Sequence, residues 1–210
     1  MNYLAHAYLS FGHPGILTGN MISDFVKGRR KLEYPEEVQQ GIELHRQIDR
    51  FTDEHAATRE AKSVFRPAYR LYSGAFVDVV YDHFLANDEP VFNPSTLFTF
   101  SITTYETLDR QAGWMPEPFA RMFPYMKQQN WLYNYHTRWG IKKSMGGVVR
   151  RAAYIDDHET AYQIFERHYQ LLEECYRQFW TDLLPFAKGI FDSYGGNVDS
   201  AGHKDLSSLL

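Results

Sequence analysis

Apolar residues recur along this chain at steps of three and four, while period-two alternation bounded by turn pairs, the mark of a strand, is hard to find. The pattern predicts helices over 2–9, stopping near Gly12, His13 and Pro14, and over 15–26, ending at Gly28. Pro35 is placed to open a third helix that runs to about residue 55. Its first turn holds Glu36 and Glu37, where carboxylates meet the positive end of the helix dipole. A fourth is predicted over roughly 68–86, stopping before Asn87 and Pro90. Residues 93–110 hold strand formers such as Phe98, Thr99 and Ile102, but an isolated strand has no partner, so a helix is predicted there too. Pro116 and Pro118 open a helix to about residue 138, kinked or interrupted at Pro124. Helices over 141–154 and 157–190, the latter bent at Pro185, complete the set. After Asp192 glycine and serine take over, predicting a loose tail over 192–210. The fold expected is all-α: one helical-bundle domain over 1–191.

Composition changes this picture little. At 210 residues the chain suffices for one domain with a real core. Its 15 Tyr and 15 Phe supply much of the area such a core buries. A net charge of −4 argues against a surface built for nucleic acid. The lone Cys175 can form no internal disulfide and matches no zinc-ligand spacing. No stretch approaches the roughly 20 apolar residues of a membrane span, and no basic-then-apolar leader opens the chain. A cytoplasmic location is the expectation.

Chemistry enters where helical stripes turn polar. In the third helix Val38, Ile42, His45, Asp49 and Thr52 share one stripe that begins apolar and becomes imidazole, carboxylate and hydroxyl. His45 and Asp49 lie one turn apart and can address one cation, and Asp53 follows a turn later. A single His–Asp pair is ordinary on a helix surface, so the other helices decide the matter. The fourth carries Asp78, Asp82 and His83 in a very hydrophobic run, where an ionised carboxylate is costly unless paired or metal-bound. Asp78 and Asp82 share a face, whereas His83 is turned roughly 140° from Asp78. The site therefore takes Asp78 with one of Asp82 or His83. The second helix adds Asn20 and Asp24, four apart, and the first adds Asn2 and His6 in the same relation.

Four consecutive helices thus present polar residues at one-turn spacing within apolar sequence, the pattern of a metal site in a bundle core. Imidazole and carboxylate without thiolate suit Mn, Mg, Fe or Zn in a hydrolytic role. Beside these residues lie Lys27, Arg29, Arg30 and Lys31, a basic run suited to a phosphate-bearing or acidic partner. Arg46, next to His45, can hold phosphate oxygens bidentately.

These pieces together resemble the acyl carrier protein phosphodiesterase family. The resemblance is carried by the opening Met-Asn-Tyr-Leu-Ala-His and by Gly19-Asn20 with Asp24-Phe25-Val26-Lys27-Gly28. It continues through Gly41-Ile42, His45-Arg46-Gln47-Ile48-Asp49, Phe51-Thr52-Asp53, and Asp78 with Asp82-His83-Phe84-Leu85. It covers about residues 1–86. It implies an all-helical, HD-domain-like hydrolase supported by Mn or Mg. Such an enzyme frees 4′-phosphopantetheine from the serine of holo acyl carrier protein. No His here is followed directly by Asp, and Asp82-His83 has the reverse order. On this reading Asp24, His45 and Asp78 hold the metal, with Asp49 or His83 completing or orienting the shell. Asp49 or Asp53 takes a proton from water, and His6 or His83 protonates the leaving oxygen. Asn20 and Arg46 contact substrate, and Lys27, Arg29, Arg30 and Lys31 dock the acidic carrier. Two other readings stay open: a phosphohydrolase of another small phosphoester or nucleotide, and a non-catalytic bundle with a structural metal.

Overall fold

Helix termini in this protein follow the side chains that satisfy their free amides. The computed structural model describes residues 1–195, which form eleven α-helices; no strand is present among the described residues. Helix α1 (Tyr3–Tyr8) has only six residues, too few to hold itself in water. Two groups anchor its N-terminus. Asn2 caps Tyr3, and the buried Asp82 carboxylate accepts from the backbone N–H groups of Asn2 (3.3 Å), Leu4 (2.7 Å) and Ala5 (3.3 Å). Helix α2 (Pro14–Ile22) is capped by His13 and continues into a 3₁₀ turn, Ser23–Phe25, that carries Asp24. A second 3₁₀ stretch, Gly28–Glu33, begins at a glycine in the left-handed region (φ +59°).

Helix α3 (Glu36–Glu54) starts just after Pro35, as the sequence predicts. Its crossing with α2 is glycine on glycine. A Cβ on Gly19 would lie 2.0 Å from the Val38 carbonyl oxygen, and one on Gly41 would lie 2.2 Å from that of Ile16. Only paired glycines permit two backbones to approach so closely.

Helix α4 (Ala56–Tyr69), capped by His55, lies where no helix is predicted, and α5 (Ser73–Ala86) starts five residues later than expected. Pro67 sits in the last turn of α4, where it has no N–H to give the Ser63 carbonyl, and Arg70 (φ +47°) makes the break. Helix α6 (Pro94–Arg110) is set by a capping box between Asn93 and Thr96. The predicted 116–138 helix is in fact α7 (Glu117–Gln128) and a short α8 (Trp131–Asn134), parted by Asn130 in a left-handed conformation. Helix α9 (Arg138–Arg151) begins three residues early because Thr137 caps it. The predicted 157–190 helix divides at His168 into α10 (Glu159–Arg167) and α11 (Tyr169–Ser193), and α11 runs through Pro185. The expected tail lies outside the described residues from 196 onward, and its first residues, Asp192 and Ser193, close α11. Fully buried Leu4, Ile22, Ile42, Phe76, Tyr81 and Phe179 tie α1, α2, α3, α5 and α11 into one core.

Candidate metal centre

Four of these elements aim their polar residues at one point. His6 comes from α1, Asn20 from α2, Asp24 from the turn after it, and His45 and Asp49 from α3. The glycine crossing brings α2 so near α3 that His45 Nδ1–H donates to the main-chain oxygen of Asn20 at 2.7 Å. That oxygen lies in the last turn of α2, where carbonyls lack helical partners. The Asn20 side chain holds the other histidine. Its amide nitrogen donates to the His6 carbonyl (2.8 Å) and to Ser10 Oγ (3.1 Å), which turns Oδ1 toward His6 Nδ1–H at 2.8 Å. One residue therefore fixes the tautomer of both imidazoles and points both Nε2 atoms the same way.

The two rings stack with centroids 4.0 Å apart. His45 Nε2 lies 3.1 Å from Asp49 Oδ2 and 3.3 Å from Asp24 Oδ1, and His6 Nε2 lies 3.3 Å from Asp49 Oδ1. One atom each from His6, His45 and Asp49 falls within 4.8 Å of the others. His6 Nε2 is buried without a hydrogen-bond partner, because its lone pair faces a carboxylate. A lone pair against an anion in a buried site calls for a cation between them. The donor set, with each imidazole oriented through Nδ1, is compatible with a divalent metal.

The electrostatics agree. Burial opposes charge on His45, but the Asp24 and Asp49 carboxylates outweigh it and raise its pKa to about 9, so a proton bridges them when no metal does. Burial, then the charge of His45, lowers His6 to about 4. Against the pull of burial, the N-terminal ammonium, His45 and His6 keep Asp49 well below the carboxylate range. Asp24 is lowered chiefly by its hydrogen bond from His45.

The sequence model described as acyl carrier protein phosphodiesterase matches residues 1–183. The chain belongs to the acyl carrier protein phosphodiesterase family. Relatives bearing that name occur in Enterobacter sp. (strain 638), 31% identical, and in Klebsiella pneumoniae (strain 342), 30% identical. Each comparison covers 90% of this chain and 98% of the relative. One from Photorhabdus laumondii is 29% identical over 90% of this chain and 96% of its own. No solved structure matches the chain at a significant level. The family match extends well past residue 86 to include α9 and much of α11, so the C-terminal half belongs to the family fold as well.

Not every predicted site residue joins the cluster of this family member. Asp78 accepts from the Met1 ammonium at 3.1 Å, and that ammonium stands 3.6 Å from Asp49. Asp78 thus borders the cluster without being one of the three side chains whose donor atoms converge; those are His45, His6, expected to protonate the leaving oxygen, and Asp49, expected either to complete the shell or to take a proton from water. Asp24 sits at the rim with its side chain 70% exposed. Asp53, a turn beyond Asp49, points to solvent and pairs with Lys62 at 2.6 Å. His83 lies elsewhere: its Nδ1–H donates to the Tyr135 carbonyl at 2.7 Å, and its ring packs on Phe165 and Tyr169. Helical rotation turns it from Asp78, and Asp82 serves α1. Arg46 donates to the Val26 carbonyl (3.0 Å), bracing the chain after Asp24, and Lys31 pairs with Glu43 (3.1 Å). Lys27, Arg29 and Arg30 are exposed and make no ion pair among the described residues.

Sequence alone gives little sign of a groove of about 430 Å³ beside the cluster. One wall is Asn2 and Tyr3, directly after the residue whose ammonium faces Asp49; the others are α8 and α9. The adjacent Arg150 and Arg151 at the end of α9 are the one available signal.

Proposed function

We propose that this chain hydrolyses the phosphodiester joining 4′-phosphopantetheine to a serine of holo acyl carrier protein, with a divalent cation held by His6, His45 and Asp49. The reading is supported by the convergence of two Nε2 atoms, both oriented by Asn20, on the Asp49 carboxylate. The names of the relatives support the substrate. Two imidazoles with one carboxylate favour Mn over Mg, which prefers oxygen ligands. Such a cation supplies Lewis-acid chemistry, polarising a phosphoryl oxygen and lowering the pKa of water.

The protein's own groups divide the remaining work. His6, His45 and Asp49 bind and orient. Asp24, at the rim and kept ionised by His45, accepts the proton of the attacking water. Water adds to phosphorus, the phosphorus–serine oxygen bond breaks, and the serine oxygen leaves with a proton from solvent while Asp24 gives the one it took back to solvent. Exposed Lys27, Arg29 and Arg30 face outward beyond Asp24 and dock the acidic carrier.

The test is intact-mass spectrometry of holo carrier protein incubated with the enzyme and Mn, in parallel with chelator. Loss of the 4′-phosphopantetheinyl mass only with Mn is expected, and Asp24→Asn should abolish it. Phosphate release from nucleotides with the holo carrier untouched would overturn the reading. Charge reversal at Lys27, Arg29 and Arg30 should raise KM far more than it lowers kcat.

A further inference from the structure

We propose that the groove between the start of α1, α8 and α9 is the seat of the 4′-phosphopantetheine arm, with Lys143, Arg150 and Arg151 gripping its phosphate and Trp131 and Trp139 covering its chain. The proposal deepens the hydrolase reading above and rests on it for the identity of the occupant.

Charge in the groove runs against that of the whole protein. The chain carries a net −4, yet no Asp or Glu lines this groove among the described residues. Lys143, Arg150 and Arg151 all line it, and none forms an ion pair among the described residues. Three uncompensated cations in one concavity attract an anion, and arginine forks fit phosphate oxygens.

The walls suit the rest of such a ligand. Trp139 leaves 58% of its surface exposed, and Lys143 Nζ stands 5.4 Å over its ring. Tyr3 and Trp131 face one another across 6.5 Å between centroids. Aromatic faces beside a cationic cluster fit a molecule that is part aliphatic chain and part phosphate. The volume lies within the roughly 300–1,000 Å³ of small-molecule sites, whereas a docked protein needs a broad face of about 800 Å².

The groove is also placed correctly for the chemistry. Asn2 and Tyr3 form the wall nearest the metal centre, and the Tyr3 phenol feels both Arg151 and Asp24. The phosphate is assigned to this end, on the side of Asp24, with the arm extending away along α9. Gly147 keeps the floor open: a Cβ there would meet only the end of the Arg150 side chain at 3.6 Å, an ordinary contact.

The experiment titrates the metal-free full-length protein with 4′-phosphopantetheine and, separately, with pantetheine lacking the phosphate, following tryptophan fluorescence. Saturable quenching by the phosphorylated compound is expected, with pantetheine weaker by about tenfold or more. Arg151→Gln and Lys143→Gln should each weaken phosphopantetheine by a similar factor while leaving pantetheine nearly unchanged. Gly147→Met should abolish both. Arg151→Gln alters an exposed residue at a helix end, so it keeps the test open even if Gly147→Met fails to fold. Affinity unchanged in both charge variants, or no quenching at all, overturns the assignment. So does apo carrier protein, rather than free phosphopantetheine, being the species that quenches and is lost in Arg151→Gln. Holo carrier protein is assayed with the same preparations after Mn is added back. If the variants behave as expected but wild type leaves holo carrier uncut, the groove stands and the hydrolase reading falls. If wild type cleaves holo carrier while phosphopantetheine binding is indifferent to the groove variants, the hydrolase reading stands and the groove assignment falls.

Discussion

Replacing Asn20 by Ala separates what its side chain does from what its main chain does. The side chain is fully buried and takes part in three hydrogen bonds, with His6 Nδ1, the His6 carbonyl and Ser10 Oγ. Each such bond contributes about 0.5–1.5 kcal/mol net, and the His6 N–H left without a partner adds about 1–3 kcal/mol. Ser10 Oγ still donates to the His6 carbonyl, which limits the damage. Two bonds lost outright and one orphaned N–H put the expected destabilisation at about 2–6 kcal/mol, a large share of a typical total of about 5–15 kcal/mol. His45 keeps its partner, because that partner is the Asn20 main-chain oxygen. Only His6 loses its orientation, so Mn affinity should fall about 10–100-fold rather than vanish. Urea denaturation in chelator reads the stability, and calorimetric titration with Mn reads the affinity. His6→Ala sets the floor, and Asn20→Ala should bind no more weakly than it. A protein that loses stability yet binds Mn as wild type does would refute the assignment of His6 as a ligand held through Asn20.

Three further outcomes follow from the packing. Gly19→Ala or Gly41→Ala pushes a Cβ into a backbone oxygen of the facing helix and should cost about 1–3 kcal/mol or more in thermal melts. Mn binding should weaken with it, since the His45 to Asn20 bond spans that crossing. Burial pushes Asp82 up to about 7, above its value in the unfolded chain. Its contribution is therefore complete below the unfolded value, near pH 4, and is lost as pH rises through about 7. Urea melts across that range should show wild type losing stability relative to Asp82→Asn, and a pH-independent difference would sink the argument. Finally, His83→Ala removes a buried ring packed on Phe165 and Tyr169; it should lower the melting temperature but leave Mn affinity unchanged in calorimetry.

Much of the site can be read along single helices. His45 and Asp49 are four apart on a stripe that changes from apolar to polar, and the structure keeps them together. The rotation that separates His83 from Asp78 is likewise a property of one helix. Pairings between helices are less legible. That His6 and Asp49 converge, and that Asp78 faces an ammonium instead, depends on how α1 lies across α3 and α5. Asn20 reads as a substrate contact in the sequence because nothing local says its side-chain oxygen and its carbonyl serve two different rings. Helix ends depart from the predicted ones where the breaking residue is neither Gly nor Pro: Arg70 and Asn130 both adopt positive φ, and His168 divides a periodic run. The groove is invisible in any one segment because its cations and Trp139 come from α9 and the rest of its aromatic wall from α1 and α8.

Helix α1 is six residues long, and it brings one of the three converging side chains. Its hold on the body of the protein comes from groups on other helices, Asp82 and Asn20. A cation shared by His6, His45 and Asp49 would act as a removable cross-link between the first turns of the chain and α3. Unlike a covalent staple, which acts on the unfolded chain, it would bind the folded site alone and stabilise the closed loop by mass action. The amides of α1 should accordingly exchange with solvent more slowly when Mn is bound, so that the proposed cation would also govern how firmly the N-terminal segment is fastened.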